Sequence, residues 1–115
     1  IHLFLYLLPH SEPEFNIILQ YGTSGPTPLS FGVDVKIIKV GYVNSSPPGN
    51  TLVTYPILRS IVKNSNLQVD ILVSKDGYHI YIDGSYFCSS QHALPLEKAT
   101  LLYVRGNIQI IKASF

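Results

Sequence analysis

Apolar and polar residues alternate with a period of two over the best-patterned part of the chain. In Leu67–Ser74 (LQVDILVS), Leu67, Val69, Ile71 and Val73 alternate with Gln68, Asp70, Leu72 and Ser74. In Tyr78–Gly84 (YHIYIDG), Tyr78, Ile80 and Ile82 alternate with His79, Tyr81 and Asp83. A period of two puts each set on one face of a strand. Lys75-Asp76-Gly77 and Asp83-Gly84 fall where tight hairpin turns want positive φ, so Leu67–Phe87 predicts a three-stranded meander. Further strands are predicted at Ile1–Leu8, Phe15–Tyr21, Leu29–Val35, Thr51–Tyr55, Leu101–Val104 and Ile108–Phe115, with one helical turn over Glu97–Ala99. Asn44–Asn50 (NSSPPGN) reads as a loop, because its two prolines cannot donate to a ladder. About nine or ten short strands separated by regular turn signals predict an all-β, two-sheet antiparallel sandwich.

Composition agrees. Ile, Val, Thr, Tyr and Phe make up 40 of the 115 residues, which supplies pleated strands richly and helices poorly. Net charge is +1 with 13% charged residues, so there is no basic stripe for nucleic acid and no polybasic run for an anionic membrane. One cysteine leaves no internal disulfide and no cysteine-rich zinc module. Ile1–Leu8 is far shorter than the roughly 18–20 residues of a membrane span, and it lacks the basic flank and cleavage site of a signal peptide. The chain has no Met, so residues 1–115 are expected to be a single domain taken from a longer product.

Candidate chemistry is sparse. Nucleophile-elbow, zinc-protease, phosphate-loop and dinucleotide motifs are all missing, and no cofactor or metal site is expected. Cys88 and His92 are four residues apart, about 13 Å along an extended chain, which disfavours a thiol–imidazole pair. Asp76 and Asp83 are explained by turns rather than by calcium. His79, Tyr81 and Asp83 share the polar face of one strand, where a small binding patch and a solvated face are equally good readings. Asn44-Ser45-Ser46 matches the N-glycosylation acceptor pattern, which matters on a secretory route.

Three C-terminal segments carry a family resemblance. Tyr78–Gly84 (YHIYIDG), Phe87–Leu96 (FCSSQHALPL) and Leu101–Phe115 (LLYVRGNIQIIKASF) follow the order and spacing of galectin segments. Those are Val-x-Val-(Asp/Asn)-Gly, Phe-x-x-x-x-His-Arg-(Leu/Ile)-Pro-Leu and Leu-x-(Ile/Val)-x-Gly-Asp-(Ile/Val)-x-(Leu/Ile). Phe15–Gln20 (FNIILQ), Val43-Asn44-Ser45 and Tyr55-Pro56-Ile57 are similar to further segments upstream. The resemblance implies a jelly-roll sandwich with sugar on the concave face of one sheet. It also implies a first strand lying upstream of residue 1, without which Ile108–Phe115 would have an open edge suited to a protein partner or a homo-oligomer.

The resemblance also implies where sugar would sit. Galectins hold galactose with a His-x-Asn-x-Arg strand, the Asn of Val-x-Asn, and a Trp-Gly-x-Glu-x-Arg loop whose Trp stacks on the sugar. Those positions fall on Gly32, Asp34 and Lys36, on Asn44, and on Ser46–Thr51, while the chain contains no Trp. A site built around particular hydroxyls loses several kcal/mol when its partners vanish. Weak or lost β-galactoside binding is therefore expected. Asp34, Lys36, Tyr42, Asn44 and Arg59 are the candidates for taking some other glycan or glycoprotein. The alternative is a sandwich that contacts protein and no sugar, and an enzyme is not expected. By the same resemblance the compartment is cytosolic or extracellular.

Overall fold

The computed structural model describes residues 1–35, 40–46, 53–56, 61–92 and 95–114. These include ten strands: β1 His2–Leu7, β2 Glu14–Gln20, β3 Thr27–Asp34, β4 Val40–Ser46, β5 Val53–Pro56, β6 Ser65–Val73, β7 Gly77–Ile82, β8 Ser85–Gln91, β9 Leu101–Gly106 and β10 Ile108–Ser114. A 3₁₀ turn spans Leu96–Lys98. The strands form two antiparallel five-stranded sheets, ordered β10-β1-β6-β7-β8 (sheet A) and β5-β4-β3-β2-β9 (sheet B).

The period of two decides what faces inward. Leu3, Leu5 and Leu7 of β1, Leu67, Val69 and Ile71 of β6, and Tyr78, Ile80 and Ile82 of β7 form the inner face of sheet A. Phe15, Ile17 and Leu19 of β2 meet them from sheet B, with Leu29, Phe31 and Val33 of β3 and Val43 of β4. No charged or polar residue is buried among the described residues. The sandwich is thus held mainly by apolar surface removed from water.

The meander over β6–β8 forms as its pattern requires, but its two Asp-Gly turns differ. Asp83 and Gly84 have φ of 48° and 83°, the pair of positive values that a type I′ turn needs. Gly77 is not among the positive-φ residues. It is demanded instead by close approach, since a Cβ there would lie 2.1 Å from the Ser90 carbonyl oxygen. Ser74 organises that turn, its Oγ accepting from the amides of Asp76 and Gly77 at 3.3 Å.

Prolines occupy the places that a ladder leaves them. Pro56 closes β5, an edge strand, and Pro28 sits within the register shift between Thr27 and Ser30 of β3. The predicted Asn44–Asn50 loop begins later than expected, because Asn44, Ser45 and Ser46 complete β4; residues 47–50 lie outside the described set. Strand β10 pairs on one side with β1 and forms the edge of sheet A.

Candidate functional site

Sheet B has its polar side outward. Because Phe31 and Val33 point into the core, Ser30, Gly32 and Asp34 of β3 face away from it. Cross-strand register then sets one row across the whole sheet: Thr54 opposite Tyr42, Tyr42 opposite Gly32, Gly32 opposite Asn16, and Asn16 opposite Arg105. The next row runs Asn44, Ser30, Ile18 and Tyr103. Asp34 lies opposite Val40 on one side and Glu14 on the other.

Tyr42 dominates this face. A Cβ added to Gly32 would fall 2.3 Å from Tyr42 Cζ and 2.5 Å from its hydroxyl oxygen. The tyrosine therefore lies across β3, directly over the glycine. Its hydroxyl reaches β2, where Asn16 Nδ2–H donates to it at 2.8 Å. Gly32 is buried as a result, although its position faces outward. Only glycine leaves room for that side chain.

The candidate residues are distributed unevenly. Asp34, Tyr42 and Asn44 occupy outward register positions of the paired strands β3 and β4. Asp34 and the Ser30–Asn44 row are four residues apart along β3, roughly 13 Å. One monosaccharide would not touch both. Lys36 and Arg59 lie outside the described residues. Asn16, Thr54 and Arg105 complete the central row and went unnamed in the sequence reading. Asn16 carried a signal, a polar residue between Phe15 and Ile17, but that pattern does not reveal which strand lies beside it.

The other candidate chemistry resolves into structure. Cys88 is 1% exposed and pairs in register with Ile80, and burial pushes its thiol up to about 12. A thiol in that state is inert. His92 is held elsewhere: its Nε2 lies 2.7 Å from the Ser74 carbonyl oxygen and its ring packs edge-on against Tyr78 at 4.7 Å. His79 takes part in a chain on the outer face of sheet A. Its Nδ1 is 2.7 Å from Ser89 Oγ, its Nε2 is 3.0 Å from Ser74 Oγ, and Tyr86 Oη is 2.7 Å from Ser89 Oγ. These groups satisfy one another and tie the meander together. Among the described residues, no group of three or more His, Cys, Asp or Glu is placed to hold a metal ion, and no helix is long and apolar enough to cross a membrane.

The sequence model of the galactoside-binding lectins matches residues 8–115. The chain belongs to the galectin family. No curated protein sequence matches it significantly. Solved galectins share its fold at low identity. Sheep galectin-11, in a complex with glycerol, superposes with a TM-score of 0.83 at 21% identity over 96% of this chain and 84% of its own. A doubly substituted human galectin-16 gives 0.82 at 13%, over 96% and 82%. The Caenorhabditis elegans galectin LEC-6 gives 0.77 at 17%, over 95% and 75%. The two five-stranded sheets are thus a galectin jelly-roll module. Within that module this galectin places Gly32 and an overlying tyrosine at a strand position where the family resemblance expects a sugar-binding histidine.

Proposed function

We propose that this galectin domain has lost, or retains only very weakly, the binding of β-galactosides on the outer face of sheet B. The observation that carries this reading is Tyr42 lying over Gly32 and anchored by Asn16. The space for a polar side chain at position 32 is taken. The chain also has no Trp to stack on galactose. Buried or oriented polar groups left without partners penalise a ligand that offers hydroxyls to the missing set. A glycan received on this face would meet the Tyr42 side chain, Asp34 and the Asn44 position rather than the family's donors, with Lys36 and Arg59 as further candidates.

Titration of the ¹⁵N-labelled chain with lactose tests this. The expected result is the absence of saturable shifts at the amides of Asn16, Gly32 and Tyr42. Saturable shifts there would overturn the reading. A glycan array then identifies any altered specificity, which Asn44→Ala should abolish.

A second reading, contact with protein, is favoured by β10. This edge strand exposes Ile110 and Ile111, at 47% and 58%. Unpaired, apolar strand edges template pairing with another chain. Galectins are typically cytosolic or extracellular, and one of those compartments is expected here; use of the Asn44 sequon requires the secretory route.

A further inference from the structure

We propose that Ser74, at the head of the β6–β7 turn, is an acid-sensitive latch whose two oxygens are held by two histidines in opposite neutral tautomers. The device is independent of the sugar face on sheet B. His79 Nε2 lies 3.0 Å from Ser74 Oγ, and His92 Nε2 lies 2.7 Å from the Ser74 carbonyl oxygen. The turn is closed by the Ser74 amide, which donates to the Gly77 carbonyl at 2.8 Å.

Counting donors and acceptors fixes both rings. A carbonyl only accepts, so His92 carries its proton on Nε2 and leaves Nδ1 bare. Ser74 Oγ has two lone pairs, and the amides of Asp76 and Gly77 already donate to it. Its own proton therefore goes to His79 Nε2 at 3.0 Å, rather than to the Gly77 carbonyl at 3.3 Å. His79 then carries its proton on Nδ1 and donates to Ser89 Oγ at 2.7 Å.

A second proton upsets each arrangement. On His79 it falls on Nε2 and points at Ser74 Oγ. The serine hydroxyl must turn to the Gly77 carbonyl, and its oxygen then faces three N–H donors with two lone pairs. One turn amide loses its acceptor. On His92 the second proton falls on Nδ1, which is buried without a partner among the described residues.

The surroundings do not compensate. Among the described residues, no carboxylate forms an ion pair with either ring. The titratable groups near His79 are Asp70, Tyr81 and Tyr86, one row away on β6, β7 and β8, and Lys75 and Asp76 of the turn. Asp70 is engaged by His2 Nδ1 at 2.6 Å and by Gln68 Nε2 at 2.9 Å. His92 packs on Tyr78, which stays protonated because burial pushes its hydroxyl up to about 12. The His92 amide donates to the Asp76 carbonyl at 3.4 Å, which ties β8 to the same turn. The turn is thus fully bonded when both histidines are neutral and loosens as they take up protons. The apolar core, which contains neither ring, stays folded.

The test follows ring nitrogens and turn amides of the ¹⁵N-labelled chain together. At about pH 7.5 the imidazole spectra should show His79 protonated on Nδ1 and His92 on Nε2. On going to about pH 5, hydrogen-exchange protection of the Asp76 or Gly77 amide should fall about tenfold in step with ring protonation, while Val69 keeps its protection. The double variant His79→Gln/His92→Gln, whose side chains take up no proton, should hold protection constant over that range. If it does not fold, judged by its own amide spectrum, coincidence of the ring and amide midpoints in the natural chain decides. His79 protonated on Nε2 at neutral pH, turn amides indifferent to pH, midpoints that do not coincide, a loss shared by every strand, or a loss that persists in the double variant would each overturn the proposal.

Discussion

Tyr42, Gly32 and Asn16 form one device built from three strands, and each residue makes sense only with the other two. The hydrogen bond from Asn16 to the Tyr42 hydroxyl is half-buried, where a net contribution of about 0.5–1.5 kcal/mol is usual. A double-mutant cycle with Tyr42→Phe and Asn16→Ala should return a coupling energy in that range by urea unfolding. A coupling near zero would mean that the tyrosine is not held across β3. Two buried acids make a separate prediction. Burial pushes the Cys88 thiol from 9.0 to about 12 and, as the main cause, the Tyr78 hydroxyl from 10.0 to about 12. The unfolded chain therefore releases these protons first as pH rises. Stability is fully present below about pH 9 and falls progressively up to about pH 12. Cys88→Ala should flatten that decline in urea unfolding measured across the window. The Tyr78 hydroxyl is buried without a hydrogen-bond partner among the described residues, so at neutral pH Tyr78→Phe should be neutral or stabilising. A clear loss of stability in that variant would show that the hydroxyl has a partner after all.

At the scale of elements, the strands were legible because burial on one face writes a period of two into the sequence. What the pattern could not show is where a ladder gains a residue. Tyr81 pairs with Tyr86 and Ile80 with Cys88, so Phe87 is extra in β8. That lets both Phe87 and Cys88 turn inward, where Phe87 meets Phe31 and Tyr55 with ring centroids 5.9 and 6.0 Å apart. Alternation read along β8 alone would have sent one of them outward. The turn between β9 and β10 hid a second feature. Asn107 stands where the galectin pattern has Asp, and its side chain clamps the β1–β2 connection. Its Nδ2 donates to Ser11 Oγ at 2.7 Å and to the Glu12 carbonyl at 2.8 Å, while its Oδ1 accepts from the Glu14 amide at 2.9 Å. Asn107→Ala should cost about 1–3 kcal/mol by chemical denaturation, because several polar groups lose their partner together. Asn107→Asp keeps the acceptor for Glu14 but sets a carboxylate against carbonyl oxygens. It should be at least as destabilised at neutral pH and recover on acidification; equal stability of Asn107→Ala and the natural chain would refute the clamp.

For the whole molecule, the sequence pointed to the sandwich and, through galectin resemblance, to the face where sugar would sit. It did not show that this face is plugged, because Gly32 and Tyr42 are ten residues apart in the chain and meet only through β3–β4 register. Nor did it show the cavity on the outer face of sheet A, where Phe4, Gln68 and Lys112 come together from both ends and the middle of the chain. The same architecture leaves a third surface. Strands β9 and β10 are consecutive in sequence, yet each forms the edge of a different sheet. Leu102 and Val104 from one edge and Ile108 from the other pack only partly against the core, and Ile110 beside Leu5 remains 47% exposed. Among the described residues the sandwich thus has an apolar seam along one side, flanked by the edge strands β9 and β10. Burying such a seam against a second copy would satisfy the open β10 ladder and shield Ile110 at once. Sedimentation of the purified chain should accordingly show reversible self-association at micromolar to millimolar concentrations. Ile110→Lys should shift it towards monomer, since an ammonium placed at the seam would have to be desolvated for the copies to meet. The substituted side chain is half-exposed, so the monomer should keep its fold and its unfolding midpoint should change little. A natural chain that stays monomeric throughout, or an Ile110→Lys variant that associates equally well, would exclude β10 as the contact and leave protein binding without a surface on this side.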